Sequence, residues 1–334
     1  MSADVERVAS NTAPPTRVHG HEDVLGRLRR ELAAGNSAQA YLLIGPPGVG
    51  KRTVAKWLGG ALLCDSSDAG DRPCGSCRTC RLAERGALID LQIAEAPLRV
   101  AAVREITHVL TLAPTEARLR VAVLPDMDRA TPAAANALLK TLEEPPPHAV
   151  LVLTASDADS VLPTVRSRCR TVSLRPLPVA VAARALESDW GIDKASADSL
   201  ARRSAGRLGW AVAAVEDPGI DELRRTWLDR LQAVLRSGPA GRLERVDELI
   251  TAGGVDTGLA VWQDWWRDVL LVAHGEEAAA VNIDRIDELR EAAQRFGVAR
   301  AIEALRAIAA ASRRLGHNTN EQLTLEVLML EMPQ

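Results

Sequence analysis

Short apolar runs alternate with amphipathic segments over the first half of the chain. Residues 41–44, 120–124, 149–154 and 171–174 are apolar enough to be buried strands, and residues 89–94 alternate like a further strand. The segments between them have the 3.6-residue spacing of amphipathic helices of about a dozen residues. Strands that alternate with helices in this way predict a parallel sheet covered by helices on both faces.

The second half of the chain has only the helical pattern. Pro176 and Pro178 mark a hinge, and residues 179–215 predict a small helical domain that is rich in alanine and arginine. A larger helical domain follows from about residue 218. It contains tryptophans at helical spacing, which favour a core or subunit-contact stripe over a base-stacking site: Trp262, Trp265 and Trp266.

These patterns divide the chain into four predicted parts. Residues 1–17 are a polar lead-in, and residues 18–176 form the α/β domain. Residues 177–216 form the small helical domain, and residues 217–334 form the larger one.

A glycine-rich loop, Gly45-Pro-Pro-Gly-Val-Gly-Lys51, joins the first predicted strand to a predicted helix. Strand, loop and helix in this order are the context of a phosphate-binding loop, in which backbone N–H groups and the helix N-terminus face an anion. That motif places Ser or Thr after the lysine to hold Mg²⁺, but this chain has Arg52. Thr53 does not substitute simply, because one residue along a helix turns the side chain by about 100°. The candidate nucleotide-binding residues are Gly45, Pro46, Pro47, Gly48, Val49, Gly50, Lys51, Arg52 and Thr53.

Four of the five cysteines follow this helix with the spacing C-x9-C-x2-C-x2-C. Cys64, Cys74, Cys77 and Cys80 are predicted to hold one Zn²⁺, because overlapping C-x-x-C steps place thiolates on a tight knuckle. Four sulfur ligands leave no open position, so the zinc is expected to be structural. The alternative is a group of free or redox-active cysteines. The neighbouring Asp, Gly, Ser and Arg residues disfavour it, because they offer no predicted core in which thiols would be buried.

Composition excludes several classes of protein. The chain has 334 residues, of which 47% are hydrophobic and 25% charged, which suits two or three ordinary domains. A formal net charge of −3 argues against a surface built for gripping DNA. No apolar run approaches a membrane span, and the N-terminus lacks the apolar core of a signal peptide. We therefore expect a cytoplasmic protein with no membrane partner, whose cysteines are reduced.

Two further motifs lie in the α/β domain: Asn136-Ala-Leu-Leu-Lys-Thr-Leu-Glu-Glu-Pro-Pro146 and Ser167-Arg168-Cys169. Together with the phosphate loop and the four-cysteine knuckle, they resemble bacterial clamp-loader subunits, which are AAA+ proteins of the DNA polymerase III holoenzyme. The resemblance is dense over residues 18–175 and weaker beyond. It implies an AAA+ domain with a zinc knuckle at 64–80, followed by a helical lid domain and an all-α collar domain that joins subunits into a ring.

Two types of subunit in this family share these motifs. The gamma/tau type hydrolyses ATP, and the delta-prime type typically does not. Hydrolysis needs a hydroxyl for Mg²⁺, a carboxylate pair at the end of the second buried strand, and usually an arginine from the lid. Arg52 replaces the hydroxyl, and Pro125 and Asp126 stand where the family has Asp and Glu. Gly209 stands at the arginine of the lid motif, and Arg207, two residues earlier, would lie on the wrong face of a helix.

The resemblance also implies roles beyond this chain. In the family, the arginine of Ser-Arg-Cys reaches the nucleotide site of a neighbouring subunit as an arginine finger, which is the role implied for Arg168. The tripeptide alone favours a surface arginine near the end of a sheet-edge loop, or an arginine paired locally with a carboxylate. Cys169 is expected to be a small buried residue. The implied partners are the gamma/tau and delta subunits of a hetero-oligomeric ring, with the sliding clamp and primed DNA contacted through the assembly.

The sequence therefore favours a delta-prime-type subunit with one structural Zn²⁺. It would be a non-hydrolysing component of the DNA polymerase III holoenzyme, a nucleotidyltransferase complex. The loop could still hold ATP or ADP, since Lys51 and the glycines are intact. Two alternatives stay open. One is an active gamma/tau-type ATPase that uses Asp126 or Asp128 as metal ligand, and the other is a zinc-knuckle AAA+ adaptor that binds DNA directly. Glu143 and Glu144, before the proline stop, are expected to be a solvated helix end.

Overall fold

The computed structural model describes residues 17–217, 219–316 and 319–333. The lead-in predicted for residues 1–17 therefore lies outside the described residues, apart from Arg17. Two compact units are distinguished. The first contains residues up to 43, 51–154 and 164–172, and the second contains residues 44–50, 155–163 and those from 173 onward.

A five-stranded sheet forms the centre of the α/β region, in the order β2-β3-β4-β1-β5. Strands β2, β3 and β4 pair in parallel, with Leu91 opposite Val121 and Val121 opposite Val150. Every residue of β3 and β4 is buried, as expected for strands with both faces covered. The strands are β1 (Ala40–Ile44), β2 (Leu91–Ile93), β3 (Arg120–Leu124), β4 (Ala149–Ala155) and β5 (Arg170–Ser173).

These strands confirm the predicted parallel α/β architecture, with one adjustment. The alternating segment 89–94 forms only the three-residue strand β2. Asp90, just before this strand, is buried and its side chain accepts hydrogen bonds from another segment. The helices of this region are α1 (Glu22–Ala33), α2 (Lys51–Leu63), α3 (Arg78–Glu84), α4 (Val100–Thr111), α5 (Pro132–Glu143) and α6 (Pro163–Arg166).

Local sequence signals explain where α5 begins and ends. The hydroxyl of Thr131 accepts a hydrogen bond from the N–H of Ala134 at 3.2 Å, and Pro132 occupies the first helical position, where no N–H is needed. The helix ends at Glu143, just before Pro145. Its end is therefore fixed by the sequence, which places Glu143 and Glu144 at the last turn.

The remainder of the second unit is helical. Its helices are α7 (Val179–Trp190), α8 (Lys194–Arg203), α9 (Leu208–Glu216), α10 (Gly219–Arg236), α11 (Pro239–Glu244), α12 (Val246–Ala252), α13 (Val255–Ala273), α14 (Ile286–Gly316) and α15 (Glu321–Glu331). Gly297, with φ of +62°, interrupts the helical geometry inside α14 and divides it into two helical stretches. No helix among the described residues is long and apolar enough to cross a membrane.

Among the described residues of this helical part, two separate apolar cores are present. One lies among α7, α8 and α9 and is built largely from alanine and leucine. The other lies among the helices from α10 onward and contains the tryptophans. Trp262, Trp265 and Trp266 are completely buried, and the indole N–H of Trp262 donates to the carbonyl of Trp227 at 2.8 Å. The core interpretation of these tryptophans is confirmed. The division between a lid at 177–216 and a collar at 217–334 stays a prediction.

Candidate functional site

The glycine-rich loop connects β1 to the first turn of α2, as the phosphate-loop motif requires. Gly48 has φ of +78° and Gly50 has φ of +101°, which are backbone conformations that residues with a Cβ rarely adopt. Among the predicted nucleotide-binding residues, Val49 and Lys51 are buried and Pro47 and Arg52 are exposed, while Gly45, Pro46, Gly48, Gly50 and Thr53 are half-buried.

Helix α9 begins directly against this loop. The backbone N–H of Gly209, the second residue of α9, donates to the carbonyl of Gly48 at 2.8 Å. A Cβ at Gly209 would lie 2.9 Å from that same oxygen, and a Cβ at Gly48 would lie 2.9 Å from the Trp210 backbone. Two glycines therefore allow a backbone-to-backbone contact where the family resemblance places a lid arginine. The sequence shows the missing arginine but gives no signal for the contact.

Arg207, the arginine nearest to the lid position, binds groups of Ser204 and Asp264. It is the N-cap residue of α9, and its guanidinium donates to the carbonyl of Ser204 at 2.8 Å and to Oδ2 of Asp264 at 2.7 Å. Asp264 lies on α13, and both side chains of the ion pair are largely buried. This ion pair joins α9 to α13 and occupies the guanidinium of Arg207.

Lys51, at the start of α2, lies in an acidic environment. Burial lowers the pKa of Lys51, and the nearby carboxylates of Asp128 and Asp126 oppose that shift only in part. Asp126 has φ of +51°, and its N–H donates to the hydroxyl of Thr154 at 3.1 Å. Oδ1 of Asp128 is buried and makes no hydrogen bond among the described residues. Pro125 is buried at the end of β3, so the first of the two family carboxylates is absent there.

The four predicted zinc ligands converge on one point. Their Sγ atoms all lie within 4.8 Å of one another, and Sγ of Cys64 is 3.8 Å from Sγ of Cys77. Tetrahedral geometry with Zn–S bonds of about 2.3 Å gives sulfur–sulfur separations of about 3.8 Å. The donor set and the spacing therefore fit a four-coordinate thiolate site.

Backbone N–H groups point at the sulfurs of this cluster. The N–H of Cys77 donates to Sγ of Cys74 and the N–H of Cys80 donates to Sγ of Cys77, each at 3.4 Å. The hydroxyl of Ser76 and the N–H groups of Cys77 and Ser76 lower the pKa of Cys74 to about 6. Such donors favour the thiolate form that binds metal.

One expectation about the knuckle was wrong. Cys64 and Cys80 are buried, with exposed fractions of 3% and 7%, although the flanking residues predicted no core for thiols. Cys64 directly follows α2, which is buried along most of its length, and this tertiary packing covers the thiol. The fifth cysteine, Cys169, lies outside the cluster and is half-buried, where a buried residue was expected. Partial burial raises its pKa to about 12.

Arg168 projects from the segment between α6 and β5 and is held by two elements. Its Nη1 donates to the carbonyl of Thr164 at 2.9 Å and to Oγ of Ser167 at 3.3 Å. Its Nη2 donates to Oε1 of Glu143, at the end of α5, at 2.7 Å. Glu143 is exposed, as expected for a solvated helix end, and it is also the carboxylate with which Arg168 pairs. The sequence does not identify Glu143 as the partner, because the two residues are 25 positions apart.

Comparisons with known proteins agree with this arrangement of motifs. Residues 20–178 match the model of a family described as "DNA polymerase III, delta subunit". The chain is similar to DNA polymerase III subunit tau of Escherichia coli, with 36% identity over 164 residues that cover 48% of this chain and 25% of tau. It is similar to subunit delta′ of Pseudomonas aeruginosa, with 37% identity over 150 residues, or 43% of this chain and 45% of delta′.

A longer but weaker match covers most of the chain. The gamma/tau subunit of Mycobacterium tuberculosis is 27% identical over 343 residues, which cover 93% of this chain and 59% of that protein. The matched regions thus span between a quarter and about three fifths of the length of these relatives.

The parallel sheet, the glycine-rich loop at the end of β1 and the helical domains define an AAA+ phosphate-loop protein. The family match and the relatives make the assignment more specific. Over residues 20–178, nearly half of its length, the chain is similar to DNA polymerase III subunits of the clamp-loader family.

Proposed function

We propose that this chain is the delta-prime-type subunit of a bacterial clamp loader. It does not hydrolyse ATP itself, and it supplies Arg168 to the nucleotide site of a neighbouring gamma/tau-type ATPase in a hetero-oligomeric ring that also contains a delta subunit. The ring loads the sliding clamp onto primed DNA during replication. This subunit reaches the clamp and the DNA through the assembly.

The backbone contact between Gly209 and Gly48 carries this proposal. A Cβ at position 209 would lie 2.9 Å from the Gly48 carbonyl, so an arginine has no room there without displacing α9 from the loop. Arg52 at the Mg²⁺ position and Pro125 at the end of β3 remove two further parts of the hydrolytic site. Three losses on three elements support a subunit that acts on the ATP of a neighbour.

The proposed cofactors follow from the same residues. Cys64, Cys74, Cys77 and Cys80 would hold one structural Zn²⁺, which would fix the segment between α2 and α3. The stretch Gly45–Thr53 retains the lysine and the glycines of a phosphate loop. It could hold ATP or ADP, without the metal ligand that hydrolysis needs.

Two ATPase measurements test this proposal. The zinc-loaded chain alone is expected to show no Mg²⁺-dependent ATP turnover above the value of its Lys51→Ala variant. In a loader reconstituted with its partner subunits, Arg168→Ala should assemble normally but lower ATP turnover by about 10³-fold or more at the site that it faces. Unchanged turnover of the assembled variant would refute the finger role, and Lys51-dependent turnover by the chain alone would refute the non-hydrolysing assignment.

The second candidate function is an active gamma/tau-type ATPase. The observation that favours it is the buried Oδ1 of Asp128, which has no hydrogen-bond partner among the described residues and lies in the acidic group around Lys51. An orphaned carboxylate oxygen is a reasonable ligand for Mg²⁺. This candidate predicts that Asp128→Asn abolishes a turnover that the wild-type chain performs alone, whereas the delta-prime proposal expects no turnover in either protein.

A further inference from the structure

The guanidinium of Arg168 is tethered on two sides within its own chain. The carbonyl of Thr164 holds Nη1 from the α6 side, and the carboxylate of Glu143 holds Nη2 from the end of α5. The side chain is nevertheless 35% exposed. Arg168 is thus fixed in direction but still open to solvent on one side.

The tethers leave part of the guanidinium free for another ligand. Arginine has five N–H donors, and the bonds to Thr164, Ser167 and Glu143 use three of them. Two donors remain, which is the number that a bidentate contact with a phosphate uses. The ion pair with Glu143 therefore does not consume the capacity of Arg168 to bind a phosphate.

Glu143 is distinguished from its neighbour Glu144 by this contact. The sequence repeats the same residue twice at the end of α5, and both side chains are exposed. Glu143 Oε1 lies 2.7 Å from Arg168, whereas the side chain of Glu144 makes no ion pair among the described residues. The chain therefore provides a matched control one position away.

We propose that Glu143 is a positioning residue that aims Arg168 at the nucleotide of the adjacent subunit. The inference rests on the proposed function, since it gives Arg168 a target outside this chain. Glu143 and the Thr164 carbonyl hold the long side chain in one direction before the subunits meet. Less rotational freedom is then lost when the guanidinium contacts phosphate, so catalysis by the neighbour gains from preorganisation.

The size of the effect follows from the exposure of the pair. Ion pairs between exposed side chains contribute little, so loss of the Glu143 charge should change turnover only modestly, by about two- to fivefold. The change should appear in kcat, because the finger acts on charge that develops during phosphoryl transfer. KM for ATP should stay the same, since ground-state binding of ATP depends on the neighbour.

The test uses the reconstituted loader with four versions of this subunit: Glu143→Gln, Glu144→Gln, Arg168→Ala, and Glu143→Gln combined with Arg168→Ala. We expect Glu143→Gln to lower kcat about two- to fivefold at unchanged KM, and Glu144→Gln to match the wild type. In the double variant, Glu143→Gln should cause no further loss beyond Arg168→Ala, because its effect passes through that arginine. A thermal melt of each subunit shows that the variants are folded.

The possible results separate the two proposals. If Arg168→Ala lowers turnover while Glu143→Gln does not, the positioning role is wrong and the finger stands. A rise in turnover with Glu143→Gln would also overturn the positioning role of Glu143, since the ion pair would then hold the arginine away from its target. An additional loss in the double variant would show that Glu143 acts independently of Arg168. If Arg168→Ala itself has no effect, the proposed function fails.

Discussion

Asp90 shows how a single buried carboxylate can organise a connection. It is fully buried just before β2, and its oxygens accept N–H groups from three consecutive residues of the segment between α4 and β3, at 2.6 to 3.0 Å: Thr115, Glu116 and Ala117. The guanidinium of Arg120 lies 3.4 Å away, itself almost fully buried. Burial by itself raises the pKa of Asp90, but the backbone donors and the Arg120 charge outweigh it and lower the pKa.

Replacing Asp90 by Asn should lower the free energy of unfolding at pH 7 by about 1–3 kcal/mol, because the amide presents N–H groups where the loop already supplies donors. The folded pKa of Asp90 lies below the unfolded value of about 3.9, so this contribution is complete above that value and is lost as pH falls through the folded pKa. Urea unfolding at pH 7 and at pH 3 measures the difference between wild type and variant.

The matched control for this prediction is Glu95→Gln, which changes an exposed carboxylate in the segment after β2. It should shift the urea midpoint by no more than a surface substitution does. If the difference in the free energy of unfolding between wild type and Asp90→Asn stays constant from pH 7 to pH 3, the proposed role of the Asp90 charge is contradicted.

At the scale of elements, the cysteine knuckle is a short connection that depends on its own ligands. Cys77 is the N-cap residue of α3 and accepts the N–H of Cys80. Cys77→Ser should release the zinc and lower the melting temperature, because a structural zinc site contributes folding energy directly. Cys169→Ser changes a cysteine outside the cluster and should keep one zinc per chain. Native mass spectrometry counts the metal, and a wild-type chain without zinc would refute the assignment.

The contact of α9 with the phosphate loop gives a second prediction at this scale. A Gly-to-Ala change inside a helix normally stabilises it by up to about 1 kcal/mol. Gly209→Ala should instead destabilise by about 1–2 kcal/mol, because the new Cβ meets the Gly48 carbonyl at 2.9 Å and overpacks the contact. Gly26→Ala in α1, where the added Cβ meets only the end of Arg30 at 3.8 Å, should be neutral or stabilising. Thermal melts compare the two, and a Gly209→Ala chain that melts higher than wild type would contradict the contact.

At the scale of the whole molecule, the three residues that replace groups required for hydrolysis lie on different elements. Arg52 is in the first turn of α2, Pro125 directly follows β3, and Gly209 is at the start of α9. A change at one of these positions leaves the other two parts missing. The retained arginine, Arg168, lies before β5 and is held by groups of the first unit alone. This distribution supports the proposed function, in which the chain does not hydrolyse its own ATP and Arg168 acts on the nucleotide of a neighbour.

Much of the fold follows from local patterns. The apolar runs located the strands to within a residue or two, because strands buried on both faces need continuous apolar residues. Local signals also explain the limits of α5, since Thr131 caps its start, Pro132 needs no N–H there, and Pro145 follows its end. The strand β2 was predicted too long, because the role of Asp90 depends on Thr115 to Ala117, some 25 residues further on.

The sequence itself determined the cysteine spacing, the phosphate-loop residues and the absence of a hydroxyl for magnesium after Lys51. Each of these depends on residue types at fixed short separations. The tertiary structure alone decided three other features: the burial of Cys64 and Cys80, the contact of Gly209 with Gly48, and the ion pair of Glu143 with Arg168. Each of these features depends on groups that packing brings together, and most of these groups are far apart in the chain. Chain spacing carries no signal for such contacts, because many partners are available until the fold selects one.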